Sequence, residues 1–98
     1  MVNKQDREKF INELVHVLSE AGKDKRVLRE FLEDLLTPAE LSEVSARWQI
    51  AKLIKKQVPH HEVAKQTHTA VATVTRGSRE MRNPHGGFQL MLKKLKID

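Results

Sequence analysis

The chain has 98 residues, 18 Lys/Arg against 13 Asp/Glu, and a net charge of +5, a length that suits one domain over residues 1–98. With three Phe, one Trp and no Tyr the core is small, so a core shared between copies is expected. The absence of cysteine excludes a disulfide framework and thiolate chemistry and suits a cytoplasmic protein; the charged opening "MVNKQDREKF" is not a signal peptide, and no apolar run approaches membrane-spanning length.

Phe10, Ile11, Leu14, Val17 and Leu18 recur at helical spacing, and Gly22 is a natural stop. Val27, Leu28, Phe31, Leu32 and Leu35 form a second apolar stripe. "LTPAE" then starts a third helix: Thr37 caps it, Pro38 suits the first helical position, and Glu40 reaches back to the cap amide as a capping box. Leu41, Val44, Trp48 and Ala51 line one face of this helix, with Ile50 and Ile54 beside it. It is expected to run to about Lys56 and to be the longest. Pro59 opens a short helix ending near Thr67, Thr69 is expected to cap the next, and "NPHGG" at 83–87 ends that one. Phe88, Met91, Leu92 and Leu95 mark a last helix. No stretch alternates as a strand does, so the fold class is all-α.

Two short helices at 59–67 and 70–82, joined by about three residues, satisfy the spacing of a helix-turn-helix over about 59–82. Val63, Val71 and Val74 are expected to pack between them, and Ala64 permits close approach. Thr67 and His68 stand where an apolar residue and a glycine are frequent, because such a turn favours positive φ. Charge is divided along the chain: residues 1–46 carry a net −3, residues 47–98 a net +8. That division assigns a polyanion to the second half and a scaffold role to the first. The competing reading is a helical protein-interaction module with a solvated basic surface.

The histidines of "HHEVAKQTH" do not make a metal site. Lys65 stands where a zinc helix of the HExxH type needs its second histidine, and the adjacent His60 and His61 point in different directions. Protonation of His60, His61 or His68 would add positive charge to this surface, although ordinary exposed histidines are the simpler reading. No nucleophile–base pair or carboxylate pair stands out, and the chain is not read as an enzyme.

"LLTPAE", "ARWQIAKLI" and "VATVTRGS", in that order and spacing, resemble the tryptophan repressor family over roughly residues 32–82. The tail "NPHGGFQLMLKKL" is similar to uncharacterised repressor-like relatives with a Gly-Gly-aromatic segment. The resemblance implies a six-helix subunit of an intertwined homodimer with a helix-turn-helix reading head; the family is itself a standard example of that motif. It also implies a transcriptional repressor that binds double-stranded operator DNA and uses L-tryptophan as corepressor, controlling genes of tryptophan biosynthesis or transport. The near alternative is the same fold with another ligand or none.

Residue by residue, the resemblance places Arg47 and Arg76 on either side of the ligand's indole, as guanidinium planes suit an aromatic face and a carboxylate alike. Thr37 and the carbonyls around Leu36 match the helix end that receives the ligand's ammonium, and Thr73 and Gly77 match the floor of the site. Glu80 falls where the family has a serine that helps hold the amino group. On the DNA side, Val71, Ala72, Thr73 and Thr75 match the base-facing start of the recognition helix, and Arg79 and Arg82 reach phosphates. His60, His61 and Thr69 complete that surface. His61 takes the place of an arginine that reads guanine in other members, which implies a different operator sequence.

Overall fold

A computed structural model of the chain describes residues 2–98. Six helices follow one another: α1 (Lys4–Ala21), α2 (Lys25–Leu35), α3 (Pro38–Lys55), α4 (His60–Thr67), α5 (Val71–Met81) and α6 (Gly87–Lys94). There is no strand among the described residues. The all-helical expectation holds, with one change of proportion: α3 spans 18 residues, but so does α1.

Local chemistry sets the starts of the first three helices. Asn3 Oδ1 accepts from the Asp6 N–H at 2.8 Å, and Asp24 Oδ1 from the Arg26 N–H at 3.0 Å. At α3 the capping box forms as its sequence requires. Thr37 Oγ1 accepts from the Glu40 N–H at 3.1 Å, and Glu40 Oε1 from the Thr37 N–H at 2.9 Å. That backbone bond, and then the hydroxyl of Thr37, hold the Glu40 carboxyl below its ordinary 4.5.

Three helix ends share a device that composition conceals. After α3, α4 and α6 the chain turns through Gln57 (φ 63), His68 (φ 55) and Lys96 (φ 57), and none of these is glycine. Each turn is closed by a pair of bonds back into the helix. They run from Val58 N–H to Leu53 O (3.1 Å), from Thr69 N–H to Ala64 O (3.0 Å) and from Ile97 N–H to Leu92 O (2.9 Å), each with a shorter-range partner bond beside it. This is the Schellman termination, which ordinarily favours glycine at the left-handed position.

The chain forms two compact units, one ending at Leu41 and one comprising Ser42–Asp98. In the first, α1 packs on α2, and Ala21 is its one buried residue among those described. Val17, Leu18, Leu28, Phe31 and Leu32 are half-buried, whereas Phe10 and Val15 stay 58% and 61% exposed.

The second unit has two cores, reached from adjacent positions of α3. Ile50 packs with Val63, Ala64 and Val74 of α4 and α5, while Ala51 packs with Met81 and Leu92. Trp48, Ile54, Phe88 and Ile97 lean on the latter cluster. Two expectations change here. Val44 is exposed, so the buried stripe of α3 centres on Ile50 and Ala51. Val71 is 51% exposed and does not join Val63 and Val74: it shares a helix face with Val74 but stands at the very start of α5.

Candidate functional site

The joint between α4 and α5 is the first element of the site. His68 adopts φ 55, ψ 40, which supplies the positive φ that this turn calls for without a glycine. Histidine is among the residues that enter the left-handed region more readily. Thr67 Oγ1 donates to Val63 O at 2.8 Å and lies 2.8 Å from Thr69 Oγ1. Since the Thr67 proton is already used, Thr69 is the donor of the second bond. The Thr69 hydroxyl is thus drawn back toward α4, and α5 starts from Ala70 as N-cap, with no side-chain cap bond. The expected Thr69 cap is therefore replaced by a two-threonine clasp on the turn.

Helix α5 presents three sectors. Val74 and Met81, seven residues apart, point into the two cores. Ala72, Thr75, Arg79 and Arg82, at helical spacing, are exposed. Thr75 Oγ1 donates to Val71 O at 3.1 Å, so its methyl and its remaining lone pairs are what the surface offers. His60 and His61 are exposed on the first turn of α4, and Thr69 is half-buried in the turn. Arg79 and Arg82 put charge on the exposed face, and Arg82 is the C-cap of α5.

The third sector, at Thr73, Arg76, Gly77 and Glu80, faces a cleft of about 60 Å³ that is completed by Arg47 and Ile50 of α3 and Phe88 of α6. A wider open groove of about 470 Å³ shares Arg47, Thr73 and Arg76 and continues past Glu43, Ala46 and the α4–α5 turn. Arg47 makes an ion pair with Glu43 at the outer limit of 4.0 Å. Among the described residues Arg76 and Glu80 have no ion-pair partner within 4.0 Å, although they sit four apart on one helix. The arginine precedes the glutamate, the weaker order for such a pair. The cleft thus holds two guanidiniums and a carboxylate around an apolar floor, a donor and acceptor set suited to a ligand carrying both charges and a hydrophobic group.

Five of the seven residues that the resemblance assigned to a ligand meet at this cleft: Arg47, Thr73, Arg76, Gly77 and Glu80. Leu36 and Thr37 belong to the other unit, at the α2–α3 junction. There the Leu36 N–H bonds Leu32 O at 2.9 Å and the Thr37 hydroxyl serves the capping box. Ile50 and Phe88 were not foreseen as lining. Ile50 reads in sequence as core, and Phe88 as the start of an apolar stripe; their shared cleft depends on three helices meeting. No group of three or more His, Cys, Asp or Glu is placed to hold a metal among the described residues, and no helix is long and apolar enough to cross a membrane.

The family model described as Trp repressor protein matches residues 9–96. A Trp operon repressor homolog of Actinobacillus succinogenes is 37% identical over 84 residues, covering 85% of this chain and 82% of the relative. Another, of Mannheimia succiniciproducens, is 33% identical over 93 residues, covering 94% and 87%. The uncharacterized protein YerC of Bacillus subtilis is 23% identical over 74 residues, or 76% of this chain and 71% of that one. No solved structure matches the chain significantly. With six helices, no strand among the described residues, and a family match running through all six of those helices, this chain is a member of the Trp repressor family.

Proposed function

We propose that the chain is a homodimeric, cytoplasmic transcriptional repressor that reads operator DNA through a single helix-turn-helix domain and takes L-tryptophan as corepressor, controlling genes of tryptophan biosynthesis or transport. The observation that carries this reading is the division of α5 into an outward basic sector (Thr75, Arg79, Arg82) and a cleft-facing sector (Thr73, Arg76, Gly77, Glu80) around one buried line. One rigid helix thereby couples a ligand to a DNA surface. On this reading α4 braces α5, the recognition helix. Val71, Ala72 and Thr75 approach base edges, Thr73 being turned to the cleft instead, and His60, His61, Thr69, Arg79 and Arg82 meet the duplex around them.

In the cleft, Arg47 and Arg76 flank the indole, Glu80 takes the ammonium, and a guanidinium takes the carboxylate. Ligand favours DNA binding only to the extent that it binds the DNA-competent placement of α4 and α5 more tightly than the other. The exposed apolar side chains of α1 and α2, among them Phe10, Leu14 and Leu35, support a second copy as the missing half of that unit's core.

Fluorescence anisotropy of a labelled operator duplex, with and without L-tryptophan, tests the whole reading. Binding is expected to strengthen with ligand and to weaken steeply with salt; Arg79→Ala is expected to lower the magnitude of the salt slope by about 1. Equal binding to operator and scrambled duplex would overturn sequence-specific repression. A second reading, the same repressor with a ligand other than tryptophan, is favoured by one observation: Glu80 puts a carboxylate at the cleft.

A further inference from the structure

We propose that a groove where the C-terminal ends of α3, α5 and α6 meet binds the sugar-phosphate backbone of duplex DNA, beyond the face of α5 that carries Thr75 and Arg79; the proposal rests on the reading of the chain as a DNA-binding protein. The groove is open, measures about 600 Å³ and lies wholly within the unit Ser42–Asp98. Cations from all three helices line it. Lys55 is the last residue of α3, Arg82 is the C-cap of α5, and Lys93 and Lys96 stand in the last turn of α6 and just past it. All of them are exposed, and among the described residues none has an ion-pair partner within 4.0 Å, although Asp98 lies on the same rim.

A cation at a helix C-terminus eases the partial negative charge of the carbonyls there, which accounts for a lysine or arginine at any one of these ends. It does not account for their sharing one groove. A cleft lined by one sign of charge focuses its field and draws in the opposite charge from outside. Beneath the rim the groove is apolar: Met81 and Leu92 are buried in its floor, and Ile97 is half-buried beside them. A nucleic-acid strand matches both features, with phosphates for the rim and the carbon face of its sugars for the floor.

Two further observations favour duplex DNA over a small anion. Arg82 belongs both to this groove and to the exposed sector of α5 with Thr75 and Arg79, so the two surfaces are continuous. A duplex also carries a charge for about every 1.7 Å of its axis, so it supplies a row of phosphates to cations spread over three helix ends. A small anion neutralises just those it touches. Lysines are point charges on flexible stems, so the groove adds affinity without reading sequence.

The test is fluorescence anisotropy of a labelled random-sequence duplex, titrated with the full chain over a series of salt concentrations. Wild type is compared with a groove variant that combines Lys55→Gln, Lys93→Gln and Lys96→Gln. A control combining Lys9→Gln, Lys23→Gln and Lys25→Gln removes the same charge from the acidic first half of the chain, and circular dichroism verifies helix content. Each phosphate neutralised adds about 0.9 to the slope of log affinity on log salt, so the groove variant is expected to lower that slope by about 2–3 and the control by no more than about 1. Arginine at the same three groove positions is expected to keep the wild-type slope. Equal slopes in wild type and groove variant, or an equal loss in the control, would overturn the groove and leave the DNA reading of α5 standing. Absence of binding by wild type at low salt would overturn that reading, and the groove with it. Inorganic tripolyphosphate that binds wild type but not the groove variant in calorimetry, with the DNA slopes unchanged, would overturn the DNA assignment in favour of a small polyanion.

Discussion

Gly77 and Ile50 meet so closely that a methyl group on the glycine would lie 2.7 Å from Ile50 Cγ2. The contacted atom is the branch of a side chain 1% exposed, not the free end of a flexible one, so it has little room to yield. In sequence the glycine suggests space left for a ligand ring. In the structure the approach of α5 to α3 already demands it.

Gly77→Ala therefore sets two effects against each other. Alanine favours a helix over glycine by about 1 kcal/mol, whereas overpacking a core contact costs about 1–3 kcal/mol. The packing loss is expected to prevail, lowering the urea midpoint. Gly87→Ala is the control: its new Cβ meets nothing within 4 Å, and the substitution should stabilise α6. A rise in midpoint for both variants would show that the Gly77 contact relaxes freely.

His68 holds the α4–α5 turn at φ 55, ψ 40, a conformation that costs a residue with a Cβ about 1–2 kcal/mol. His68→Gly removes that cost but gives the unfolded chain more freedom, so a net gain of about 0.5–1 kcal/mol is expected. His68→Val should lose stability, as a β-branched side chain suits this region least. Thermal melts at one fixed protein concentration check both, since association shifts apparent stability. A glycine variant no more stable than wild type would mean that the histidine side chain contributes a compensating contact.

The α3 capping box gives stability a pH dependence with a definite sign. The Thr37 N–H, and then its hydroxyl, lower the Glu40 pKa from 4.5 in the folded chain. The unfolded chain thus takes up its proton first as pH falls. The Glu40 contribution is fully present above the unfolded value and is lost as pH drops through the lowered folded one. Glu40→Gln, whose amide oxygen still accepts the cap bond, should flatten the acid limb of a stability–pH profile while keeping most of the cap. Superimposable acid limbs for variant and wild type would contradict this assignment.

What was legible in the sequence is what neighbours three or four residues apart decide among themselves. The six helices, the Thr37–Glu40 box and the charge division between the halves all follow from local hydrogen bonding, local periodicity and counting. The pairing of Arg47 with Arg76 was legible for another reason: the motifs "ARWQIAKLI" and "VATVTRGS" resemble a known family, and the cleft brings those two residues together.

Contacts between helices decided the rest. Val71 and Val74 look alike in sequence and share a helix face, yet one is half exposed and the other fully buried, because only Val74, nearly a turn further along α5, meets Ile50 and Val63. Thr69 looks like a cap, but its bond to Thr67 draws its hydroxyl back toward α4 rather than over the first amides of α5. Helix ends at Gln57, His68 and Lys96 carry no glycine signal, because the closing bonds of each turn outweigh the local preference. Phe88 reads as one more apolar residue of α6. Only the meeting of α3, α5 and α6 makes it the wall of a cleft, since a side chain's neighbours across helices depend on which faces pack and not on spacing along the chain.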